Sequence, residues 1–211
     1  AAIRLLRFVL VDSGVNDSLE ASGASTPSRG GFEFRIELAG TQRVLSRCEK
    51  ELREIATRAG ETIRLIAPEE AEDLWCRLGD IHSEVAQSPN GWLLKVSLPM
   101  SKVEDFFGKA RRLLESKTPL AKFHADPLAG SVGIQLCAES RESVLEDSVM
   151  ELRNLAGELG GSLVVEIAPA AAQGKVDAWG ACGNDFDVMR KVKEALDPKG
   201  VLSPGRFVGG L

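Results

Sequence analysis

The stretch Gly91-Trp92-Leu93-Leu94-Lys95-Val96-Ser97-Leu98 begins the part of the sequence that decides the fold. Trp92, Leu94, Val96 and Leu98 occupy alternate positions, a pattern that predicts a strand with one buried face. The following Ser101-Lys102-Val103-Glu104 reads as a capping box, in which the serine and glutamate satisfy free amides at a helix start. We therefore predict a strand followed directly by a helix.

Four further elements are predicted after this helix. A strand is predicted at residues 120–124, and after the turn at 127–130 a second strand carries Val132, Ile134 and Leu136. A helix is predicted at 141–159, ending at Gly160-Gly161, and a last strand at 163–167. The order βαββαβ is that of the ferredoxin-like unit.

The residues before this unit predict a degenerate second one. Periodicity leaves a strand and a short helix open for residues 3–11, and the shortness and β-branched content of this run favour a strand. Residues 13–31 read as a long mobile loop rich in small polar residues. In 32–38 the apolar residues Phe32, Phe34, Ile36 and Leu38 alternate with charged ones, so we expect them to face a core. A helix capped by Thr41, a strand at 62–66 and a helix beginning at Pro68 follow.

These elements predict an α+β fold: an antiparallel sheet with helices on one face, containing a ferredoxin-like βαββαβ unit, a degenerate second unit, and a C-terminal helix and tail. We divide the chain into residues 1–90, the first α+β half with its mobile loop; 91–168, the ferredoxin-like unit; and 169–211, the helix and tail.

The carboxyl end has a helix with a sharp stop. Apolar residues recur at three- and four-residue spacing in 186–196, which predicts a helix with one buried face, capped by Asn184 or Asp185. The sequence Asp197-Pro198-Lys199-Gly200 ends it, because proline lacks an amide hydrogen and glycine accepts a left-handed turn.

From this helix onward the sequence resembles FAD-linked oxidases of the vanillyl-alcohol oxidase type. The motifs are Asp197-Pro198-Lys199-Gly200-Val201-Leu202 and then Ser203-Pro204-Gly205-Arg206, and the ending looks most like the FAD-binding subunit of glycolate oxidases. The resemblance implies that all 211 residues form the C-terminal cap, or substrate, domain of such a flavoprotein and that the tail lies beside the flavin.

The resemblance assigns the tail residues to cofactor binding. Ser203, where the family usually has asparagine, Pro204, Gly205 and Arg206 would meet the FAD. The planar guanidinium of Arg206 suits a flavin phosphate or a substrate carboxylate; without the resemblance it reads as one member of a surface ion pair. Trp179, in a glycine-bounded loop, either covers the flavin or plugs the core.

His124 is the candidate catalytic residue. Related 2-hydroxy-acid oxidoreductases often carry a histidine before a G-D-G-N-like turn, and here His124 precedes Ala125-Asp126-Pro127, without that turn. An imidazole titrates near neutrality, so it can act as a base or orient a carboxylate. The alternative is a histidine in a surface turn.

Composition excludes several classes of function. The net charge of −5 and the lack of a basic stripe argue against a nucleic-acid partner. No apolar run approaches the ~20 residues of a membrane span, and the cysteines and histidines lack the spacing of a metal site. We expect a cytoplasmic protein, or one held at the membrane periphery by partner subunits.

Two functions remain open. The first, implied by the resemblance, is the cap domain of an FAD-dependent enzyme that oxidises a small 2-hydroxy acid and passes electrons to other subunits, including an iron–sulfur subunit. The chain has no G-x-G-x-x-G loop, so the FAD-binding domain is expected outside it, and the chain alone is expected neither to hold FAD tightly nor to turn over. The second is a non-catalytic ferredoxin-like module that binds a ligand or a protein.

Overall fold

The structure, a computed structural model, describes residues 4–12, 32–118, 120–136, 142–172 and 174–211. The loop predicted at 13–31 lies outside these residues. The strands are β1 Arg4–Asp12, β2 Phe32–Ala39, β3 Trp92–Ser97, β4 Lys122–Asp126, β5 Ser131–Leu136 and β6 Ser162–Ile167. The α-helices are α1 Gln42–Ala59, α2 Pro68–Gly79, α3 Ile81–Gln87, α4 Val103–Glu115, α5 Glu142–Glu158 and α6 Phe186–Leu196.

The strands form one antiparallel sheet in the order β2-β1-β4-β5-β3-β6. Strands β3 to β6 with helices α4 and α5 make the βαββαβ unit, so the predicted α+β fold and its ferredoxin-like part are confirmed. Strand β1 joins this unit through β4, where Leu10 pairs with Ala125 and Val11 with His124. The two halves of the chain therefore share one sheet, and the division at residue 90 stays a prediction.

Helices α4 and α5 cover one face of β3 to β6 and bury the main core. Trp92, Leu94, Phe106 and Leu152 are among its fully buried side chains, each of a size that contributes roughly 1.5–3 kcal/mol when removed from water. A second cluster lies on the opposite face, where Ile81 and Val85 of α3 pack on Leu93. The expectation of helices on one face thus holds for α4 and α5, whereas α3 covers part of the other face.

The predicted burial of the apolar residues of β2 is wrong. Phe34 is 61% exposed and Ile36 37% exposed, while Arg35 between them is buried. Phe34 and Leu10 are paired, which puts Phe34 on the sheet face that α4 and α5 cover elsewhere. The main core contains residues of β4 but none of β2, because β2 is the edge strand and its end of that face is uncovered among the described residues.

Three local predictions also fail. Residues 62–66 are irregular, since five residues form a strand only where a sheet edge receives them, and the sheet grows through β1 instead. Neither Thr41 nor Ser101 makes a side-chain cap, and α4 begins at Val103 after a 3₁₀ turn, Met100–Lys102. The degenerate second unit therefore lacks its third strand.

The predicted buried face of α6 is wrong as well. The helix has the expected bounds, but none of its residues is buried, and Asp185 at its N-cap position makes no side-chain cap. Val188 is 62%, Val192 53% and Leu196 78% exposed. Val188, Val192 and Leu196 therefore form a surface that no described part of the chain covers, whereas Phe186 is half-buried beside Gly209 of the tail.

Candidate functional site: a polar sheet face and a hydrogen-bonded tail

One face of the sheet carries polar residues beside the small cluster of Ile81, Val85 and Leu93. Successive strand residues point to opposite faces, so Lys95, His124 and Glu166 lie opposite the buried Leu94, Ala125 and Val165. We call Lys95, His124, Gly133 and Glu166 the polar sheet face. It lies on the side of the sheet away from α4 and α5.

His124 lies across the centre of this face because Gly133 leaves room for it. Lys95 of β3, Gly133 of β5 and His124 of β4 form one row of paired residues on adjacent strands. A Cβ built on Gly133 would overlap the imidazole of His124, so the ring occupies the place of the missing side chain. Strands are about 4.8 Å apart, and the ring therefore reaches one strand closer to Lys95.

The imidazole of His124 is neutral in this environment. The pKa of His124 is lowered from 6.5 to about 4, mainly by burial and also by the nearby His82, while Glu166 opposes the shift. Its Nδ1 atom is buried without a hydrogen-bond partner among the residues the structure describes. Because a group with a pKa of about 4 is a weak base, the ring suits hydrogen bonding to a ligand better than proton abstraction.

Glu166 connects two further residues to this face. The Nε2 atom of His82, on α3, lies 2.7 Å from one carboxylate oxygen of Glu166, and Nζ of Lys95 lies 3.7 Å from the other. His82 thus also belongs to the cluster. Sequence reasoning missed Lys95 and Glu166, and the one signal for Lys95 was its place among the outward residues of β3.

The tail is held by a second set of contacts around Asp197. Its buried carboxylate accepts hydrogen bonds from Nζ of Lys193 at 2.6 Å and from the amides of Val201 at 3.0 Å and Leu202 at 2.9 Å. These contacts, that of Lys193 first, lower the pKa of Asp197 to about 2. Lys193 also donates to the carbonyl of Leu202 at 2.6 Å. The turn that ends α6 is therefore held by the carboxylate of Asp197.

Trp179 packs on the tail and not in the buried core. Its indole Nε1 donates to the carbonyl of Arg206 at 3.1 Å, and its ring meets Phe207 edge to face with centroids 5.1 Å apart. Arg153 of α5 holds the Trp179 loop, since its guanidinium donates to the carbonyl of Asp177 at 2.7 Å. The tail is thus connected through Trp179 to the helix layer.

Arg206 presents its cation at the surface of the tail. Its amide donates to the carbonyl of Ser203 and its carbonyl accepts from Trp179, but its exposed guanidinium meets no acceptor within the described part of the chain. Ser203 has φ +45°, in the left-handed region, and is the one non-glycine residue there among those described. Asparagine adopts this conformation more readily than serine, which is a backbone reason for the family's asparagine.

The structure brings Trp179, Ser203, Pro204, Gly205 and Arg206 together, with Pro204 and Gly205 beside a groove of about 480 Å³ at the end of α6. His124 is not joined to them: no hydrogen bond, ion pair or ring contact between described residues connects it to the tail. The chain therefore presents two separate polar regions.

The described residues also bear on metal binding and on membrane insertion. No group of three or more His, Cys, Asp or Glu residues in them is arranged to hold a metal ion. None of the helices within the described ranges is long and apolar enough to cross a membrane.

Comparison with known families identifies the chain. The family model described as FAD linked oxidases, C-terminal domain, matches residues 1–207. The chain therefore belongs to this family, whose full-length members are FAD-linked oxidoreductases that pair this domain with an FAD-binding one. No curated protein matches the chain.

Proposed function

We propose that this chain is the cap domain of an FAD-dependent oxidoreductase of the glycolate oxidase type, which oxidises a small 2-hydroxy acid. Family membership supports the flavoprotein class. The observation that carries the substrate class is the polar sheet face, where the neutral imidazole of His124 lies in one row with the cation of Lys95. A 2-hydroxy acid has a hydroxyl that can bind the imidazole and a negatively charged carboxylate that can bind Lys95.

The tail supplies groups for one side of a flavin site but not for the whole site. The guanidinium of Arg206 has no partner among the described residues and matches a phosphate or carboxylate in charge and planarity. Trp179, Ser203, Pro204 and Gly205 form the backbone and aromatic support of that cation. The FAD is therefore held mainly by another domain or subunit, and when bound it supplies the hydride acceptor.

His124 orients the substrate by hydrogen bonding to its hydroxyl. A neutral imidazole carries one N–H donor and one acceptor nitrogen, so the ring of His124 can exchange a hydrogen bond with a ligand hydroxyl. The sheet behind the ring is closed by the main core, which excludes water from that side. The chain's own contribution is thus to bind and position the substrate.

The exposed apolar residues of α6 form the surface that meets the FAD-binding domain or subunit. Val188, Val192 and Leu196 follow one another at four-residue spacing, and Leu202 and Phe207 of the tail are also exposed. This docking would bring Arg206 toward the flavin. Electrons then pass to other subunits, including an iron–sulfur subunit, in a cytoplasmic enzyme or one held at the membrane periphery by those subunits.

Assembly tests the docking surface. We expect Val192→Asp to abolish co-purification with the FAD-binding domain or subunit while the chain stays folded, because Val192 is 53% exposed. Lys191→Asp, on the same exposed helix, is the control and should assemble normally. Normal assembly of the Val192→Asp variant would exclude α6 as the contact.

Turnover tests the substrate class. The assembled holoenzyme, with a dye as electron acceptor, should oxidise glycolate or lactate, and it should leave ethylene glycol, which lacks the carboxylate, unchanged. A non-catalytic binding module would oxidise none of them. Oxidation of ethylene glycol at the same rate as glycolate would show that the enzyme does not require a carboxylate in its substrate.

A further inference from the structure

We propose that Lys95 binds the carboxylate of the ligand on the polar sheet face, and that His82 keeps Lys95 available by holding Glu166. This inference rests on the proposed function for the ligand's class. It adds three residues that no motif in the sequence singles out. Each comes from a different element: β3, α3 and β6.

The geometry places a cation beside the imidazole. Lys95 pairs with Gly133, and the ring of His124 fills the space above Gly133. A ligand between Lys95 and His124 would therefore touch an ammonium group on one side and an imidazole on the other. Adjacent carbons of a 2-hydroxy acid carry the carboxylate and the hydroxyl, and that spacing suits neighbouring side chains in one row.

The carboxylate of Glu166 lies closer to His82 than to Lys95. The contact with His82 is 2.7 Å, a full hydrogen bond, whereas the contact with Lys95 is 3.7 Å, beyond hydrogen-bond distance. Lys95 is 54% exposed and has three N–H donors, none of which is bound to Glu166 at hydrogen-bond distance. Lys95 is thus held near the face by charge but keeps donors for a ligand.

His82 is the reason that Glu166 lies farther from Lys95. Because its Nε2 atom occupies one oxygen of Glu166, the carboxylate is turned toward α3. Without His82, Glu166 would be free to close on Lys95 and to compete with a bound carboxylate. With glutamine in place of Glu166, that competition would disappear.

Binding of oxalate, a carboxylate that cannot lose a hydride, measures this site without catalysis. Titration calorimetry of the holoenzyme should show that Lys95→Met weakens oxalate binding about tenfold or more, the scale of a lost hydrogen bond to a charged group. Lys109→Met removes a lysine of α4 that pairs with Asp105, and it should leave binding unchanged. Equal affinity in wild type and Lys95→Met, or no binding by wild type, would overturn the proposal.

Two further variants test the role of Glu166. His82→Leu should weaken oxalate binding about threefold, as expected when an exposed ion pair tightens, and Glu166→Gln should strengthen it. In the Glu166→Gln background, His82→Leu should have no effect. If His82→Leu weakens binding equally in both backgrounds, His82 does not act through Glu166.

The outcome is separable from that of the proposed function. A holoenzyme that binds oxalate through Lys95 but oxidises no 2-hydroxy acid would contradict the function and support the site. A holoenzyme that oxidises glycolate with an oxalate affinity independent of Lys95 would support the function and overturn the site.

Discussion

The imidazole of His124 occupies the space that a side chain on Gly133 would fill. The two residues are paired across β4 and β5, so the glycine determines where the ring lies. This relationship puts a titratable group over the middle of the sheet instead of at its edge. It also makes the position of His124 testable apart from its chemistry.

Gly133→Ala should displace His124 from the sheet. The added methyl overlaps the ring, and a displaced ring gains solvent, so the pKa of His124 should rise from about 4 toward its usual 6.5. Histidine titration by NMR measures the pKa of His124. A pKa that stays near 4 would mean that the ring is held by contacts other than the space at Gly133.

Stability should depend on pH through His124. The pKa of this group is lowered on folding, so the unfolded chain binds more protons between pH 6.5 and 4, and stability is lost as pH falls through that interval. The shift corresponds to a loss on the order of 3 kcal/mol. Urea unfolding at several pH values should show this slope in wild type and its absence in His124→Gln.

The contacts of Asp197 should govern the order of the tail. Asp197→Asn removes the charge that accepts from Lys193 and from the amides of Val201 and Leu202. Hydrogen exchange at those two amides should accelerate about tenfold or more, because local opening becomes easier. Asp187→Asn, on the exposed side of α6, is the control and should change neither amide.

The acid dependence of this contact has a defined interval. The pKa of Asp197 is lowered from 3.8 to about 2, so its stabilisation is complete above pH 3.8 and is lost as pH falls through about 2. Protection of the two amides in wild type should follow that interval. Unchanged protection below pH 2 would contradict the assignment.

Ser203→Asn should stabilise the tail through the backbone. Ser203 has φ +45°, a conformation that asparagine adopts at lower cost. We expect slower exchange at the amide of Arg206, which donates to the carbonyl of residue 203, and an unchanged FAD affinity of the holoenzyme. Tighter FAD binding without a change in exchange would instead indicate a direct side-chain contact with the cofactor.

The ferredoxin-like unit was predictable because each of its strands and helices follows from residues that are close together in the sequence. The alternation of Trp92, Leu94 and Val96 and the stripe on α4 each follow from neighbouring residues, and the same was true of the turn that ends α6. Alternation alone does not tell which face will be covered. For β2 this depended on how far α4 and α5 extend across the sheet, and Phe34 therefore lies exposed where a core was expected.

The candidate site was predicted only in part. His124 and the tail residues came from motifs, whereas Lys95, His82 and Glu166 meet only because β3 lies between β5 and β6 and α3 packs on the opposite face from α4. These contacts join residues far apart in the chain, so no spacing rule finds them. The buried face assigned to α6 failed for a related reason: an amphipathic helix can present its apolar side to another domain.

Reduction of the bound flavin tests the central claim most directly. The assembled holoenzyme, kept without oxygen or an acceptor, should lose the visible absorbance of its oxidised flavin when glycolate or lactate is added. Its rate should saturate with the concentration of the 2-hydroxy acid. A flavin that stays oxidised with every small 2-hydroxy acid, in an enzyme whose FAD is fully bound, would contradict the assignment of this domain to their oxidation.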